Sequence, residues 1–147
     1  MTTLFSIAGL PGLTGAGVRV AVIDSGIRGA HPLLAPAVVG VEVVGAGLGD
    51  GGDESGHGTL VAGLIAGQPG ADGFSGVAPN ARIIAIRQTS SRFAPRSPGE
   101  DPAVAQATLE VATLARAVVR AADLGARVIT VSAVTCVPAN RNIDQSE

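Results

Sequence analysis

Short runs rich in valine and isoleucine recur along the chain and constrain its fold more than any other feature. Four such runs occur: VRVAVID (18–24), VVGVEVV (38–44), ARIIAIRQ (81–88) and ARVITVSAV (126–134). The first is almost continuously apolar, which is typical of a strand buried on both faces, as in a parallel sheet. Because the chain has 147 residues, these runs predict one domain built on a single sheet.

Two segments between these strands are predicted to be helices. Residues 58–67 (GTLVAGLIAG) are rich in the glycine and alanine that let a helix pack closely against a sheet. A second helix begins at an N-cap, Asp101, followed by Pro102, and ends before the C-cap residue Gly125. Strands that alternate with helices predict an α/β fold with a mostly parallel sheet. Spacings of three and four predict that the second helix buries an apolar stripe of Val104, Thr108, Val111, Leu114, Val118 and Ala122.

Composition argues against several classes of protein and site. The formal net charge is −2, and the chain has no basic cluster or aromatic stacking platform, so nucleic acid is not an expected partner. Cys136 is the single cysteine, which excludes an internal disulfide and a multi-cysteine zinc site. No signal peptide is predicted at the N-terminus, and no apolar run of about 18 residues predicts a membrane anchor.

One aspartate and one histidine lie where chemistry is expected in such a fold. Asp24 ends the first predicted strand, and functional groups of open α/β sheets gather at the carboxyl ends of strands. His57 follows a glycine-rich loop and precedes a predicted helix. A carboxylate that binds one ring nitrogen of a histidine orients the other nitrogen as a general base. The alternative interpretation is that Asp24 is only a turn or capping residue.

Three motifs in order resemble the subtilisin-like serine proteases. They are VAVIDSGI around Asp24, SGHGTLVAG around His57, and GVAPNARIIAIR at residues 76–87. The resemblance implies a subtilisin-like three-layer α/β fold and a serine endopeptidase that acts on polypeptides through an Asp-His-Ser triad. By that resemblance Asp24 orients His57, and His57 is the general base. The chain is then expected to be the N-terminal portion, residues 1–147, of a peptidase domain whose fold is incomplete here.

HGTLVAG, IRQTS and VSAVTCVPANRNIDQ look in particular like the mycosins, the subtilisin-like proteases of type VII secretion. This resemblance implies an extracellular or cell-envelope location and type VII secretion machinery as a partner. Mycosins usually carry a cysteine beside the histidine motif, whereas Glu54 or Ser55 occupies that region here. The family-type disulfide of Cys136 is therefore not expected.

The resemblance assigns one further residue to the substrate site and leaves the nucleophile unassigned. Ser132 begins the segment 132–134, which matches the family's cleft-lining strand and could bind an extended peptide by strand addition. Thr130 stands where the family usually has asparagine. Neither the family's AAGN-like oxyanion stretch nor its GTSxA-like nucleophile turn occurs, so no nucleophile is predicted in this chain, and without one no acyl-enzyme forms.

The remaining polar residues are predicted to be structural, and no cofactor is expected. His31 precedes a proline and matches the family's turn after the aspartate motif. Asp50, Asp53 and Glu54 lack the spacing of an EF-hand loop, so they are interpreted as a solvated acidic loop. A structural calcium ion is compatible with these carboxylates but is not indicated by them, and no metal site is assigned.

Two other functions remain open. The first is a truncated or degenerate relative without catalytic activity, which acts as a binding module or has no function, because the serine motif is missing. The second is nucleotide binding, suggested by the α/β pattern alone. GAGVRV precedes its strand, whereas a dinucleotide-binding fingerprint follows one, and no P-loop motif occurs. The aspartate and histidine motifs therefore favour the protease over nucleotide binding.

Overall fold

The chain forms a four-stranded parallel sheet in a computed structural model that describes residues 12–45, 52–88 and 102–132. The strands are β1 (Arg19–Asp24), β2 (Val38–Val43), β3 (Arg82–Arg87) and β4 (Val128–Val131). Their order across the sheet is β2-β3-β1-β4, and every neighbouring pair is parallel. The predicted α/β class with a mostly parallel sheet is thus confirmed, and all four strands form within the predicted runs.

The two predicted helices cover opposite faces of the sheet. Helix α1 (His57–Ala66) joins β2 to β3, and helix α2 (Pro102–Asp123) joins β3 to β4. Side chains alternate along β1, so Val20 and Val22 pack with α1, whereas Ala21 and Ile23 pack with α2. The central strands β1 and β3 are therefore buried on both sides, as their continuous apolar runs predict. The layers are helix, sheet and helix.

The apolar stripe predicted for α2 is only partly correct: Leu114 packs against the core, but four of the six residues are exposed, namely Thr108, Val111, Val118 and Ala122. Val111 is 50% exposed and Val118 is 37% exposed. The face that packs toward the sheet is lined instead by small side chains: Ala105, Ala107, Thr113, Ala117 and Ala121. Small residues let the helix axis approach the sheet closely, so dense packing selects the alanine face over the valine face.

Both ends of α2 bear on the sequence predictions. Gly125 has a positive φ of 75°, the left-handed conformation of a C-cap glycine, and Ala126 donates a backbone hydrogen bond to Ala121. The predicted N-cap, Asp101, lies outside the described residues.

Among the helices of the described ranges, none is long and apolar enough to cross a membrane.

Candidate active site

Asp24 and His57 meet at the carboxyl end of the sheet. Asp24 is the last residue of β1, and His57 is the first residue of α1. His57 Nδ1 lies 2.9 Å from Asp24 Oδ2 and 3.1 Å from Asp24 Oδ1. The Asp24 side chain is 5% exposed, while that of His57 is 56% exposed. The structure thus brings together the two residues that the motifs single out, with the carboxylate buried and the imidazole open to solvent.

Glycine at position 58 permits this meeting. A Cβ atom at Gly58 would lie 2.0 Å from the carbonyl oxygen of Gly26 and 3.1 Å from Asp24 Cβ. Any larger residue would therefore force α1 away from the loop that follows β1. The glycine of the HGT motif allows the contact by which His57 reaches the end of the strand.

Side chains from two segments satisfy the backbone N–H groups at the start of α1. Asp53 accepts hydrogen bonds from the N–H of Gly56 at 2.9 Å and of Thr59 at 2.8 Å. The N–H of His57 donates to Ser55 Oγ at 3.2 Å, and that of Gly58 donates to Ser25 Oγ at 3.5 Å. Gly56 itself has a left-handed φ of 82° and supplies no side-chain cap. The backbone N–H groups that have no acceptor within the helix are thus hydrogen-bonded to side chains. These bonds hold the first turn and His57 in place.

Ser25 connects the two acidic residues of the site. Its backbone N–H donates to Asp24 Oδ1 at 2.7 Å, and its Oγ lies 3.0 Å from the same atom. Ser25 Oγ is also 2.8 Å from Asp53 Oδ1 and 2.8 Å from Ser55 Oγ. A serine hydroxyl has one proton, so it can donate to only one of these oxygens at a time. Ser25 therefore couples the carboxylate that binds His57 to the carboxylate that caps its helix.

Asp53 corrects the prediction of a solvated acidic loop. Asp53 is only 7% exposed, and its carboxylate also accepts the Thr59 hydroxyl proton. Burial by itself raises the pKa of Asp53, but the hydrogen bonds from Thr59, Ser25 and Gly56 outweigh it and lower that pKa. The helix N-terminus also favours a negative charge at this place. The spacing of Asp53, four residues before His57, was the available signal for this role.

Arg87 lies at the same end of the sheet, and sequence reasoning missed it. Arg87 is paired in register with Asp24 across β3 and β1, and it is 3% exposed. Its Nη2 forms an ion pair with Glu54, and its Nη1 donates to the carbonyl oxygen of Gly52 at 3.0 Å. Glu54 is thus neither solvated nor free. The buried cation holds the loop from which α1 begins.

The other predicted residues lie at the edges of the site or beyond it. Ser132 follows β4 and donates its N–H to the carbonyl oxygen of Ile23 at 3.5 Å, one residue before Asp24. Its contact with a substrate stays a prediction. His31 Nδ1 accepts the N–H of Leu33 at 3.3 Å in an exposed turn, in agreement with a structural role. Asp50 and Cys136 lie outside the described residues.

A known family has this fold and these motifs. The profile of the subtilase family, peptidase family S8, matches residues 15–146. The chain belongs to the subtilase family of serine peptidases. The subtilisin-like fold and the family predicted from the motifs are both confirmed.

Individual relatives point to the mycosins within that family. The chain is 56% identical to Mycosin-3 of Mycobacterium tuberculosis over 134 residues, which are 90% of this chain and 28% of the relative. The structure of the MycP3 protease from the type VII (ESX-3) secretion system is also similar. It has a TM-score of 0.75 and 60% identity, over 90% of this chain and 36% of that one. The chain thus spans about a third or less of the length of these relatives.

A further similar structure is a component of a larger assembly. A chain in the periplasmic assembly from the ESX-5 inner membrane complex matches with a TM-score of 0.80 and 44% identity. The match covers 90% of this chain and 36% of that one. The resemblance to mycosins predicted from the sequence is therefore confirmed by both sequence and structure.

Proposed function

We propose that this chain supplies the aspartate and the histidine of a serine endopeptidase of the mycosin type. The observation that supports this most directly is the bidentate approach of the Asp24 carboxylate to His57 Nδ1, at 2.9 and 3.1 Å. A buried carboxylate facing a half-exposed imidazole is the arrangement that an Asp-His-Ser triad requires. The reaction is hydrolysis of a peptide bond in a polypeptide substrate.

The proposal gives each nitrogen of His57 a separate role. Carboxylate oxygens accept hydrogen bonds, so the proton of the neutral ring is on Nδ1, which faces Asp24. Nε2 then carries a free lone pair and acts as the general base that takes the proton of the attacking serine. When the ring becomes an imidazolium, Asp24 stabilises its positive charge. The same Nε2 later returns the proton to the leaving amine.

The nucleophilic serine is proposed to come from a part of the protein outside these 147 residues. Two observations support this proposal: these 147 residues contain no GTSxA-like motif, and they span only 28% of the length of Mycosin-3. Ser132, which begins the segment after β4, would help to line the substrate cleft. If the whole protein lacks a serine in this position, the chain is instead a non-catalytic subtilase.

The test uses the full-length gene product and a serine-directed fluorophosphonate probe, with peptide hydrolysis measured alongside. We expect covalent labelling of the wild-type protein and no labelling after His57→Ala. Removal of the triad histidine in subtilisin, a protease of the same family, lowers kcat by about 10⁶-fold, and we expect a loss on that order.

His31→Ala is the matched control, because it removes the other histidine of the chain from an exposed turn. That variant should label and hydrolyse peptides like the wild type. A wild-type protein that folds but neither labels nor cleaves would contradict the proposed activity and favour the non-catalytic alternative.

We also infer that the protein works at the cell envelope with type VII secretion machinery. The support is its similarity to mycosins and to a chain of the ESX-5 inner membrane complex. Fractionation of the source cells, followed by affinity purification of the tagged full-length protein, tests this. Recovery from the envelope together with secretion-complex subunits is expected, and recovery from the cytosol alone would contradict it.

A further inference from the structure

We infer that Arg87 is a positioning residue that fixes the loop before His57, so that His57 stays within hydrogen-bond distance of Asp24. This inference rests on the proposed function. Arg87 and Asp24 are cross-strand partners at the carboxyl ends of β3 and β1. The guanidinium therefore extends from the same carboxyl end of the sheet that carries Asp24. It contacts the segment that leads into His57.

Two contacts connect Arg87 to that segment. Its Nη1 donates to the backbone carbonyl of Gly52 at 3.0 Å, and its Nη2 forms an ion pair with the Glu54 carboxylate. Within the part of the chain that the structure describes, neither Nε nor Nη2 makes a hydrogen bond, so Nη1 holds the loop by a hydrogen bond and Nη2 holds it by charge. One planar cation thus holds the loop through both a main-chain atom and a side chain.

Asp53 connects the loop that Arg87 holds to the helix start that carries His57. Asp53 is flanked by Gly52 and Glu54, and its carboxylate binds the N–H groups of Gly56 and Thr59. These two residues bracket His57 at the start of α1. A loop that moves would therefore shift the helix start and lengthen the contact between His57 and Asp24. Arg87 acts on the reaction through this chain of contacts and touches no reacting atom.

The burial of the ion pair distinguishes it from an ordinary surface pair. Arg87 and Glu54 have side chains that are 3% and 14% exposed. Arg120 and Glu42 form an exposed Arg–Glu pair for comparison, at 47% and 31% exposure. Solvent and side-chain entropy make exposed pairs weak, whereas removing one partner of a buried pair leaves an uncompensated charge. Only the buried pair should affect the site.

The experiment compares Arg87→Gln, Arg87→Lys and Arg120→Gln in the full-length protein. For Arg87→Gln we expect kcat to fall by about 10- to 100-fold with KM within about twofold, because misplacement of a catalytic group lowers kcat rather than binding. The downfield proton resonance of His57 Nδ1, seen by NMR with labelled histidine, should weaken in the same variant. Arg87→Lys keeps the charge but has a single ammonium in place of the two Nη groups, so it should recover only part of the lost kcat, and Arg120→Gln should match the wild type.

A double variant covers the case in which Arg87→Gln does not fold. Replacement of a buried ion pair by apolar residues of similar size is often neutral for stability, so Arg87→Met/Glu54→Met keeps the fold but removes the attachment. A folded double variant with lowered kcat supports the inference. Wild-type kcat and a wild-type Nδ1 resonance in a folded Arg87 variant would overturn it.

Failure of the inference differs from failure of the proposed function. If the protein is not a serine peptidase, the wild type itself does not react with the fluorophosphonate. If only the role of Arg87 is wrong, the wild type and the Arg87 variants react at equal rates. The Nδ1 resonance reports the contact between Asp24 and His57 in either case, since it requires no turnover.

Discussion

Helices α1 and α2 cover opposite faces of one sheet, and α1 begins at His57, the proposed general base. The N-terminus of α1 lies among side chains of Ser25, Asp53 and Ser55, which pair with its N–H groups. Helix α2 packs on its face through alanines, and polar contacts also join it to the sheet region: Gln88 Nε2 donates to Thr113 Oγ1 at 2.8 Å, and Arg120 pairs with Glu42 of β2. Both helices pack on the sheet along their length, but α1 is also held at its N-terminus by side-chain hydrogen bonds.

The difference shows how a sheet can separate stability from function. Polar groups at the start of α1 lie beside the carboxyl ends of the strands, where backbone groups are free to bind side chains and substrate. The contact face of α2 runs across the hydrophobic middle of the sheet, where small apolar residues give the densest packing. Changes at the start of α1 should therefore alter the site, whereas changes on the contact face of α2 should alter stability alone.

The largest effect is expected from a substitution at the start of α1, compared with a second glycine substitution later in the same helix. Gly58→Ala places a methyl group against the carbonyl oxygen of Gly26 at 2.0 Å, so the helix must shift. We expect a loss of about 3 kcal/mol or more in the free energy of unfolding, together with loss of activity. Chemical denaturation and the peptide assay measure both effects.

Gly63→Ala is the matched control within the same helix. Apart from the chain neighbours and the backbone of the helix itself, no atom of the described residues lies within 4 Å of the added Cβ, and φ is not in the left-handed region. Because alanine has the higher helix propensity, the variant should gain up to about 1 kcal/mol. Equal effects of the two substitutions would show that contact with Gly26 is not what selects glycine at position 58.

An intermediate effect is expected from Ala117→Leu in α2. Ala117 is 0% exposed and packs against the sheet, so a leucine overfills the interface and costs about 1–3 kcal/mol in the free energy of unfolding. The Asp24–His57 contact lies on the other face and should keep its Nδ1 resonance. Val119→Leu, at a position that is 61% exposed, is the control with no expected change. A changed Nδ1 resonance in Ala117→Leu would contradict the separation of the two faces.

The smallest effect concerns acid stability and Asp53. Hydrogen bonds lower the pKa of folded Asp53 below its ordinary value of 3.8, so its contribution to stability is present above that value. The contribution is lost as the pH falls from the ordinary value through the lowered pKa, because the unfolded state binds a proton in that range while native Asp53 is still ionised. Asp53→Asn should cost about 1 kcal/mol at neutral pH and make acid unfolding less steep.

Asp72→Asn, in an exposed turn, is the control for this measurement. Denaturant unfolding between neutral pH and pH 3 separates the two variants. Acid profiles that are the same for wild type and Asp53→Asn would show that the hydrogen bonds at Asp53 do not depend on its charge.

Much of the molecule follows from the sequence, because its signals are local. The four strands form where the valine and isoleucine runs predict them, and helix α1 begins within one residue of its predicted start. The family and the meeting of Asp24 with His57 followed from short motifs, whose residues are adjacent in the chain. Backbone period and motif identity can be read without knowledge of what packs where.

What only the tertiary structure decided depends on contacts between distant segments. Helix α2 has both an alanine face and a valine face at helical spacing, and the distance between helix and sheet, which no local pattern encodes, selects the alanines. Arg87 and Glu54 are 33 residues apart and look like ordinary surface charges in the sequence, yet they are buried together beside the site. Their pairing arises because parallel register brings the end of β3 next to the end of β1, where the loop before α1 returns to the sheet.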